Sequence, residues 1–416
     1  MVFFAFALAY FVSAALRTVT ATLAPALTQE FALQARDLGL LSGGYFLGFA
    51  VFQIPLGGLL DKHGPRRVIL WMLVFAVVGC AVFAVSTSFT GLLLARFLCG
   101  LGVSVCLMAP LTAYRRWFNP ETQLRANSWM LMTGSLGMLV ATLPAQAVLP
   151  IVGWRGIFAG IALWVLFAMA MIAIFVPSWL QGLLHEPSQI RPSTKPEKQV
   201  LQSMIWKNPY FLRMMPIGFW MYGGMIALQT LWVGPWMTRV AHYSPSQAAG
   251  GLFAINLVML VNYSLWGWLN PKLSARGLNA VRLMKIGLPV ALVVLPVAVL
   301  MATDISLGNG LTIPIWAVWI AYFLASSFVS LAQPAVGMAF PSHMAGRALT
   351  AYNLVIFMGV FVTQWGVGLG ADLFLWLGLS ERTAFQATMG IFWLLCLASF
   401  VHFWFSKSDN LNATVL

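Results

Sequence analysis

The sequence predicts an all-α membrane protein in which twelve transmembrane helices form two six-helix bundles related by a pseudo-two-fold axis. Three observations lead to this fold class: a strongly apolar composition, twelve long hydrophobic stretches and an internal repeat. Of the 416 residues, 61% are hydrophobic and only 8% are charged. Because a soluble domain has about a quarter of its residues charged, most of this surface must face lipid.

Twelve hydrophobic stretches are long enough to cross a membrane, which takes about 20 apolar residues in a helix. We number them spans 1 to 12. Spans 1 to 6 are predicted at residues 2–28, 38–60, 67–88, 91–117, 126–149 and 156–178, and spans 7 to 12 at residues 209–236, 247–270, 281–303, 311–338, 347–371 and 383–405. The first stretch lacks a basic segment and a cleavage site, so we expect it to be retained as span 1.

A polar stretch rich in proline and charge separates the two sets of spans, at residues 183–208. This composition is typical of a linker. It divides the chain into an N-terminal six-helix bundle, residues 1–182, and a C-terminal six-helix bundle, residues 209–416.

The two halves repeat each other with a shift of about 210 residues. The matching pairs, which occur in the same order, are Pro25 and Pro235, Gly57 and Gly267, and Leu59 and Leu269. Repeated six-helix halves of this kind indicate alternating access around a site near the middle of the membrane.

The net charge of +13 would favour a nucleic-acid partner, but the charge distribution has a simpler explanation. When successive loops are assigned to alternate sides of the membrane, one side has only Arg36, Arg155, Arg239 and Arg382, and the other has most of the remaining cations. This asymmetry predicts a cytoplasmic (inner) membrane protein with both termini in the cytoplasm. We therefore expect the protein to contact the lipid bilayer and no nucleic acid. We call the side with few cations the outer face.

The turn between spans 2 and 3 carries a motif of glycines and charges: Gly57, Asp61, Lys62, Gly64, Arg66 and Arg67. Span 4 adds a second pattern: Leu92, Arg96, Gly100 and Gly102. Both patterns resemble signatures of the major facilitator superfamily and lie where that family has them. The resemblance implies two bundles that rock about a central solute path.

The resemblance also implies that Asp61 lies near the start of span 11, where the positive end of a helix dipole stabilises a carboxylate. We expect the Asp61 motif to gate the cytoplasmic side; the alternative is a loop clamp with no role in transport. The equivalent position in the second half is Pro271, so the gate chemistry is expected in the first half alone.

Apart from the arginines at the cation-rich ends of the spans, two arginines lie within predicted spans, where ionisable residues are costly and usually functional. Arg17 is about halfway along span 1, and its planar guanidinium suits a carboxylate or phosphate. We expect Arg17 to contact substrate; the alternative is a hydrogen bond to helix carbonyls. Arg96 lies nearer the outer end of span 4, which allows either a coupling role or snorkelling to the surface.

None of the ten acidic residues is predicted at mid-membrane. An arginine without a counter-charge favours an anionic substrate, and the chain offers no buried carboxylate of the kind that exporters of cationic drugs use. Neutral polar residues in cavity-lining spans complete the candidate site: Tyr45, Tyr222, Gln229, Asn256, Tyr322 and Gln364. Each of these has the alternative of a helix–helix hydrogen bond.

These observations predict a secondary or facilitative transporter of a small organic anion, with a carboxylate as the expected substrate, and we expect it to be monomeric. The alternatives are an exporter of neutral or amphipathic compounds and a non-transporting membrane receptor on the same fold. The sequence contains no nucleotide-binding loop, nucleophile constellation or metal-ligand spacing, so we expect no enzyme activity, no cofactor and no metal.

Overall fold

The computed structural model describes residues 1–118, 120–177, 203–301, 303–306 and 312–406. Most of the predicted linker at 183–208 lies outside these ranges, so the predicted division into bundles at that point stays a prediction. Within the described residues, ten helices are long and apolar enough to cross a membrane, a bent pair provides an eleventh span, and Trp129–Val140 is a shorter apolar helix. The predicted helical membrane fold is confirmed.

The first half contains six spans. Their helices are Val2–Phe31 for span 1, Ala35–Val51 with Gln53–His63 for span 2, Pro65–Val85 for span 3, Phe89–Val103 with Met108–Trp117 for span 4, Pro120–Val140 for span 5, and Leu143–Phe175, which contains the end of span 5 and all of span 6. Gly153 separates those two spans, because its φ of 67° interrupts the helical backbone.

The second half contains the other six spans. They are Pro209–Arg239 for span 7, Pro245–Ala275 for span 8, Ala280–Leu300 for span 9, Ile315–Met338 for span 10, Ser342–Trp376 for span 11 and Glu381–Phe405 for span 12. Span 7 includes two π-helical segments, Ile217–Gly223 and Leu228–Trp232. Such wide turns are frequent at functional sites, and both carry a predicted site residue.

Several predicted boundaries were wrong by a few residues because local hydrogen bonds, and not hydropathy, end the helices. Span 10 was predicted from residue 311, but a short antiparallel hairpin of β1 (Ile305–Ser306) and β2 (Thr312–Ile313) precedes it. The carboxylate of Asp304 accepts a hydrogen bond from the Ile315 N–H at 2.9 Å and so stabilises the true start of the helix. The Tyr243 hydroxyl also donates to Asp304, and burial, together with this carboxylate, raises the pKa of Tyr243 to about 12.

Each half has its own apolar core. One core consists almost wholly of residues from spans 1 to 6, and the other of residues from spans 7 to 12. A few small or medium side chains cross over, such as Ala21 and Leu38 into the second core and Ala227 and Val360 into the first. Two separately packed cores are what rigid-body motion of one half against the other requires.

The two halves approach most closely where span 2 lies along span 11. A Cβ atom on Gly39 would lie 2.3 Å from the Gln364 carbonyl oxygen, and one on Gly368 would lie 2.4 Å from the Ala35 carbonyl oxygen. Only glycine permits such backbone contact. Towards the other end of span 2, Gly57 and Gly58 have open space around them. The halves are therefore closed against each other at the outer face.

Candidate functional site

Arg17 lies midway along span 1, between the two halves. Its side chain is half-buried, and its buried Nε has no hydrogen-bond partner. Three tyrosines lie close enough to interact electrostatically with the guanidinium: Tyr10 and Tyr45 from the first half and Tyr222 from the second. Tyr10 also hydrogen-bonds to the Arg17 side chain. Because unpaired buried donors are rare in folded proteins, the free Nε is a donor that a ligand can use.

Tyr263 of span 8 is a fourth tyrosine near Arg17, since it interacts electrostatically with Arg17, Tyr10 and Tyr222. We call Tyr10, Tyr45, Tyr222 and Tyr263 the ring of four tyrosines. Sequence reasoning missed Tyr10 and Tyr263. Helical spacing could have found them: Tyr10 precedes Arg17, and Tyr263 follows the predicted Asn256, by about two helical turns, which places each pair on one helix face. The ring of four tyrosines draws equally on the two halves.

Tyr45 is engaged within the first half. Its hydroxyl donates to the Ser13 carbonyl at 2.9 Å, and the side chain is fully buried. The Arg96 guanidinium lies 4.8 Å from the centre of the Tyr45 ring. Tyr45 therefore joins spans 1, 2 and 4.

Arg96 is fully buried, so snorkelling to the surface does not occur. Its Nη1 donates to the Leu16 carbonyl at 2.8 Å, whereas Nε and Nη2 have no partner. Gly100, one turn further along span 4, lies against the backbone of Tyr45, because a Cβ there would come within 1.8 Å of the Tyr45 carbonyl oxygen. Arg96 thus contacts the backbone of Leu16, the residue next to Arg17.

Gln229 and Asn256 pair with each other. The Gln229 Nε2 donates to the Asn256 Oδ1 at 3.0 Å, and the Asn256 Nδ2 donates to the Leu252 carbonyl at 2.9 Å. Both side chains are buried. Their polar groups join spans 7 and 8, which is the alternative that helix packing predicts.

Gln364 connects spans 11 and 7. Its Nε2 donates to the Thr230 hydroxyl at 3.0 Å, and its backbone carbonyl accepts from the Trp232 indole at 3.1 Å. Its Oε1 is buried without a partner. Tyr322 lies elsewhere, lining a small cavity inside the second half together with Met221, Ser326 and Cys396.

The motif between spans 2 and 3 lies among the described residues, except for the side chain of Asp61. Gly64 adopts a φ of 75°, which favours glycine, and it turns the chain into span 3. The Arg66 guanidinium donates to the Ala173 carbonyl at the end of span 6, while Lys62 and Arg67 are exposed. The Asp61 side chain lies outside the described part of the structure, so its gating role stays a prediction.

Acidic side chains lie at the outer face in the described part of the chain. Glu30 pairs with Arg155 at 2.7 Å and Glu381 with Arg239 at 3.5 Å. Within the described residues, no carboxylate accompanies Arg17 or Arg96, and no group of histidine, cysteine and acidic residues could hold a metal ion. The site is a cationic centre with aromatic hydroxyls around it.

A family model described as Major Facilitator Superfamily matches residues 6–364. Among curated proteins, a cis,cis-muconate transport protein of Acinetobacter baylyi is 27% identical over 199 residues, covering 47% of this chain and 48% of that protein. A probable L-galactonate transporter of Escherichia coli is 28% identical over 132 residues, covering 31% and 29%. This chain spans less than half the length of these curated relatives.

Solved structures show the same fold. A bacterial homologue of the human lysosomal transporter Spinster, in an inward-facing and occupied conformation, superimposes with a TM-score of 0.76 at 17% identity, covering 97% of this chain and 96% of that one. A D-xylose–proton symporter superimposes with a TM-score of 0.72 at 12% identity, covering 100% and 99%. The predicted arrangement of twelve helices in two bundles agrees with these folds.

Proposed function

Because the chain belongs to the Major Facilitator Superfamily, we propose that it carries a small organic anion, a carboxylate, across the cytoplasmic membrane by alternating access. One observation carries the proposal: Arg17 lies between the halves with an unpaired Nε, and no described carboxylate neutralises it. An arginine in this setting binds a carboxylate in a planar, two-pronged geometry.

Electrostatics support an anion over a cation or a neutral solute. A guanidinium that is partly removed from water without a counter-charge is destabilised by its loss of hydration. A bound carboxylate supplies that counter-charge, and nearby tyrosine hydroxyls can donate to its oxygens. A cation would face Arg17 and Arg96 with no described acid to offset their repulsion.

The ring of four tyrosines supports a site that both halves contact. Tyr10 comes from span 1 and Tyr263 from span 8, so an anion on Arg17 would contact residues that move relative to one another when the halves rock. Differential contact of this kind allows a ligand to change the balance between conformations.

Two similar proteins are described as transporters of muconate and galactonate, both of which are carboxylates. These names support the substrate class and not a particular substrate.

The described residues near the site include no carboxylate, so proton coupling would run through protonation of the substrate itself. Exchange and facilitated diffusion are the other modes. We also propose that the protein acts as a monomer with cytoplasmic termini.

Transport by purified protein in liposomes tests the proposal. Uptake of a labelled organic acid, drawn from a panel of mono- and dicarboxylates first ranked by thermal shift, should fall to background in Arg17→Ala and stay low in Arg17→Lys. Arg382→Ala is the matched control, because Arg382 is exposed at the outer face. If the wild type takes up the acid and Arg17→Ala takes it up equally well, the anion site is refuted.

The same assay separates the two alternatives. Export of neutral or amphipathic compounds, with no stabilisation by any acid, would identify a multidrug type of transporter. Stabilisation by a ligand that the protein never moves across the liposome membrane would identify a receptor.

A further inference from the structure

The outer ends of spans 2 and 11 are joined by a carboxylate that accepts two backbone hydrogen bonds from the opposite half. Asp372, about one turn before the end of span 11, accepts from the Ala35 N–H through Oδ1 at 3.1 Å and from the Arg36 N–H through Oδ2 at 2.9 Å. Ala35 and Arg36 are the first two residues of the span 2 helix Ala35–Val51.

Those two N–H groups have no acceptor within their own helix, because the first turn of a helix has no preceding carbonyls. Asp37 in the same turn serves a different group: its carboxylate accepts from the Gln34 N–H at 3.0 Å. Asp372 therefore satisfies donors that would otherwise need water. Its negative charge also lies at the positive end of the span 2 helix dipole.

We infer that Asp372 is a latch that holds the outer face closed and that opens each time the halves rock apart. This inference rests on the alternating access of the proposed function, but not on the substrate. Because the acceptor lies in one half and the donors in the other, separation of the outer ends must break both hydrogen bonds. A cap formed within one half would not respond to that motion.

The surroundings of Asp372 are consistent with a contact that forms and breaks as the halves move. Asp372 is only partly buried, so water can replace its hydrogen bonds when the halves part. The neighbouring backbones touch directly: a Cβ on Gly368 would lie 2.7 Å from the Arg36 Cα. The closed state thus combines close packing with two charge-assisted hydrogen bonds.

Distances across the outer face test the latch. Spin labels on introduced cysteines at Thr87 and Arg382, both exposed at the outer face and one in each half, report its opening by double electron–electron resonance. The four native cysteines are buried, and replacing them keeps the labelling specific. In Asp372→Ala, we expect the ratio of long to short distances to rise about tenfold, equivalent to about 1.4 kcal/mol. Asp372→Asn keeps the shape of the side chain and should also raise the ratio of long to short distances. It serves as the test if the alanine variant does not fold.

Asp304→Asn is the matched control. Asp304 is also an outer-face aspartate that accepts from the first N–H of a helix, that of Ile315 at 2.9 Å, but donor and acceptor lie in the same half. Its substitution should leave the distance distribution unchanged. Unchanged distances in both Asp372 variants, or an equal shift in Asp304→Asn, would overturn the latch. A shift in Asp372→Ala in a protein that transports no anion would keep the latch and refute the substrate proposal.

Discussion

Arg96 donates a hydrogen bond to the backbone carbonyl of Leu16, the residue before Arg17, at 2.8 Å. Arg96 thereby holds the backbone that positions Arg17. Its remaining donors, Nε and Nη2, are buried without partners. A buried cation left in this state lowers the stability of the fold, so its presence points to a role in positioning the site.

Replacement of Arg96 by methionine should separate stability from transport. The substitution removes an unpaired buried charge, so we expect a thermal unfolding temperature equal to or above that of the wild type. Transport should fall by about tenfold or more, because Arg17 loses the support of its backbone and the site loses positive potential. A strongly destabilised variant would show instead that Arg96 is a structural brace, and wild-type transport would show that it has no role.

Tyr10→Phe and Tyr263→Phe should each weaken substrate binding. Removal of one hydroxyl that donates to a carboxylate costs about 1.5–3 kcal/mol, or about ten- to a hundredfold in Kd. The fold should be unaffected, because the aromatic rings remain. Tyr322→Phe is the matched control, since Tyr322 lies in the cavity within the second half. Binding measured by thermal shift or calorimetry checks this, and equal losses in all three variants would contradict the ring of four tyrosines.

Gln229 and Asn256 should behave as a structural pair. Each single substitution by leucine leaves a buried polar partner unsatisfied and should destabilise the protein by about 1–3 kcal/mol, whereas the double substitution should recover part of that loss. Thermal unfolding of the four proteins in a double-mutant cycle checks the expectation. Additive destabilisation, or a loss of substrate affinity with unchanged stability, would place one of the two residues in the substrate site instead.

Hydropathy, charge asymmetry and the internal repeat were sufficient to predict the membrane fold, because these signals arise from burial in lipid. The same signals located Arg17, since an isolated charge in an apolar span is conspicuous. They could not show that Gln229 and Asn256 face each other or that Tyr322 points into its own half. Those outcomes depend on helix rotation, and the π-helical segments of span 7 change the rotation in a way that residue spacing does not record.

The contact between Gly39 and Gln364 offers an independent way to open the outer face. A Cβ on residue 39 would lie 2.3 Å from the Gln364 carbonyl oxygen and 3.1 Å from its carbonyl carbon. Both are backbone atoms that cannot rotate away, so Gly39→Ala must push spans 2 and 11 apart. We expect the same rise in long distances between labels at Thr87 and Arg382 as in Asp372→Ala.

The control for Gly39→Ala is Gly366→Ala, because a Cβ at Gly366 meets nothing within 4 Å. It tests the general effect of adding a methyl group to span 11 without a clash. If the outer face is held closed by both the glycine contact and the Asp372 latch, the double variant Gly39→Ala, Asp372→Ala should open further than either single variant. Distances that stay short in Gly39→Ala, in a protein that elutes as a monodisperse species, would mean that the clash is absorbed by local backbone movement and that the two halves do not part at this contact.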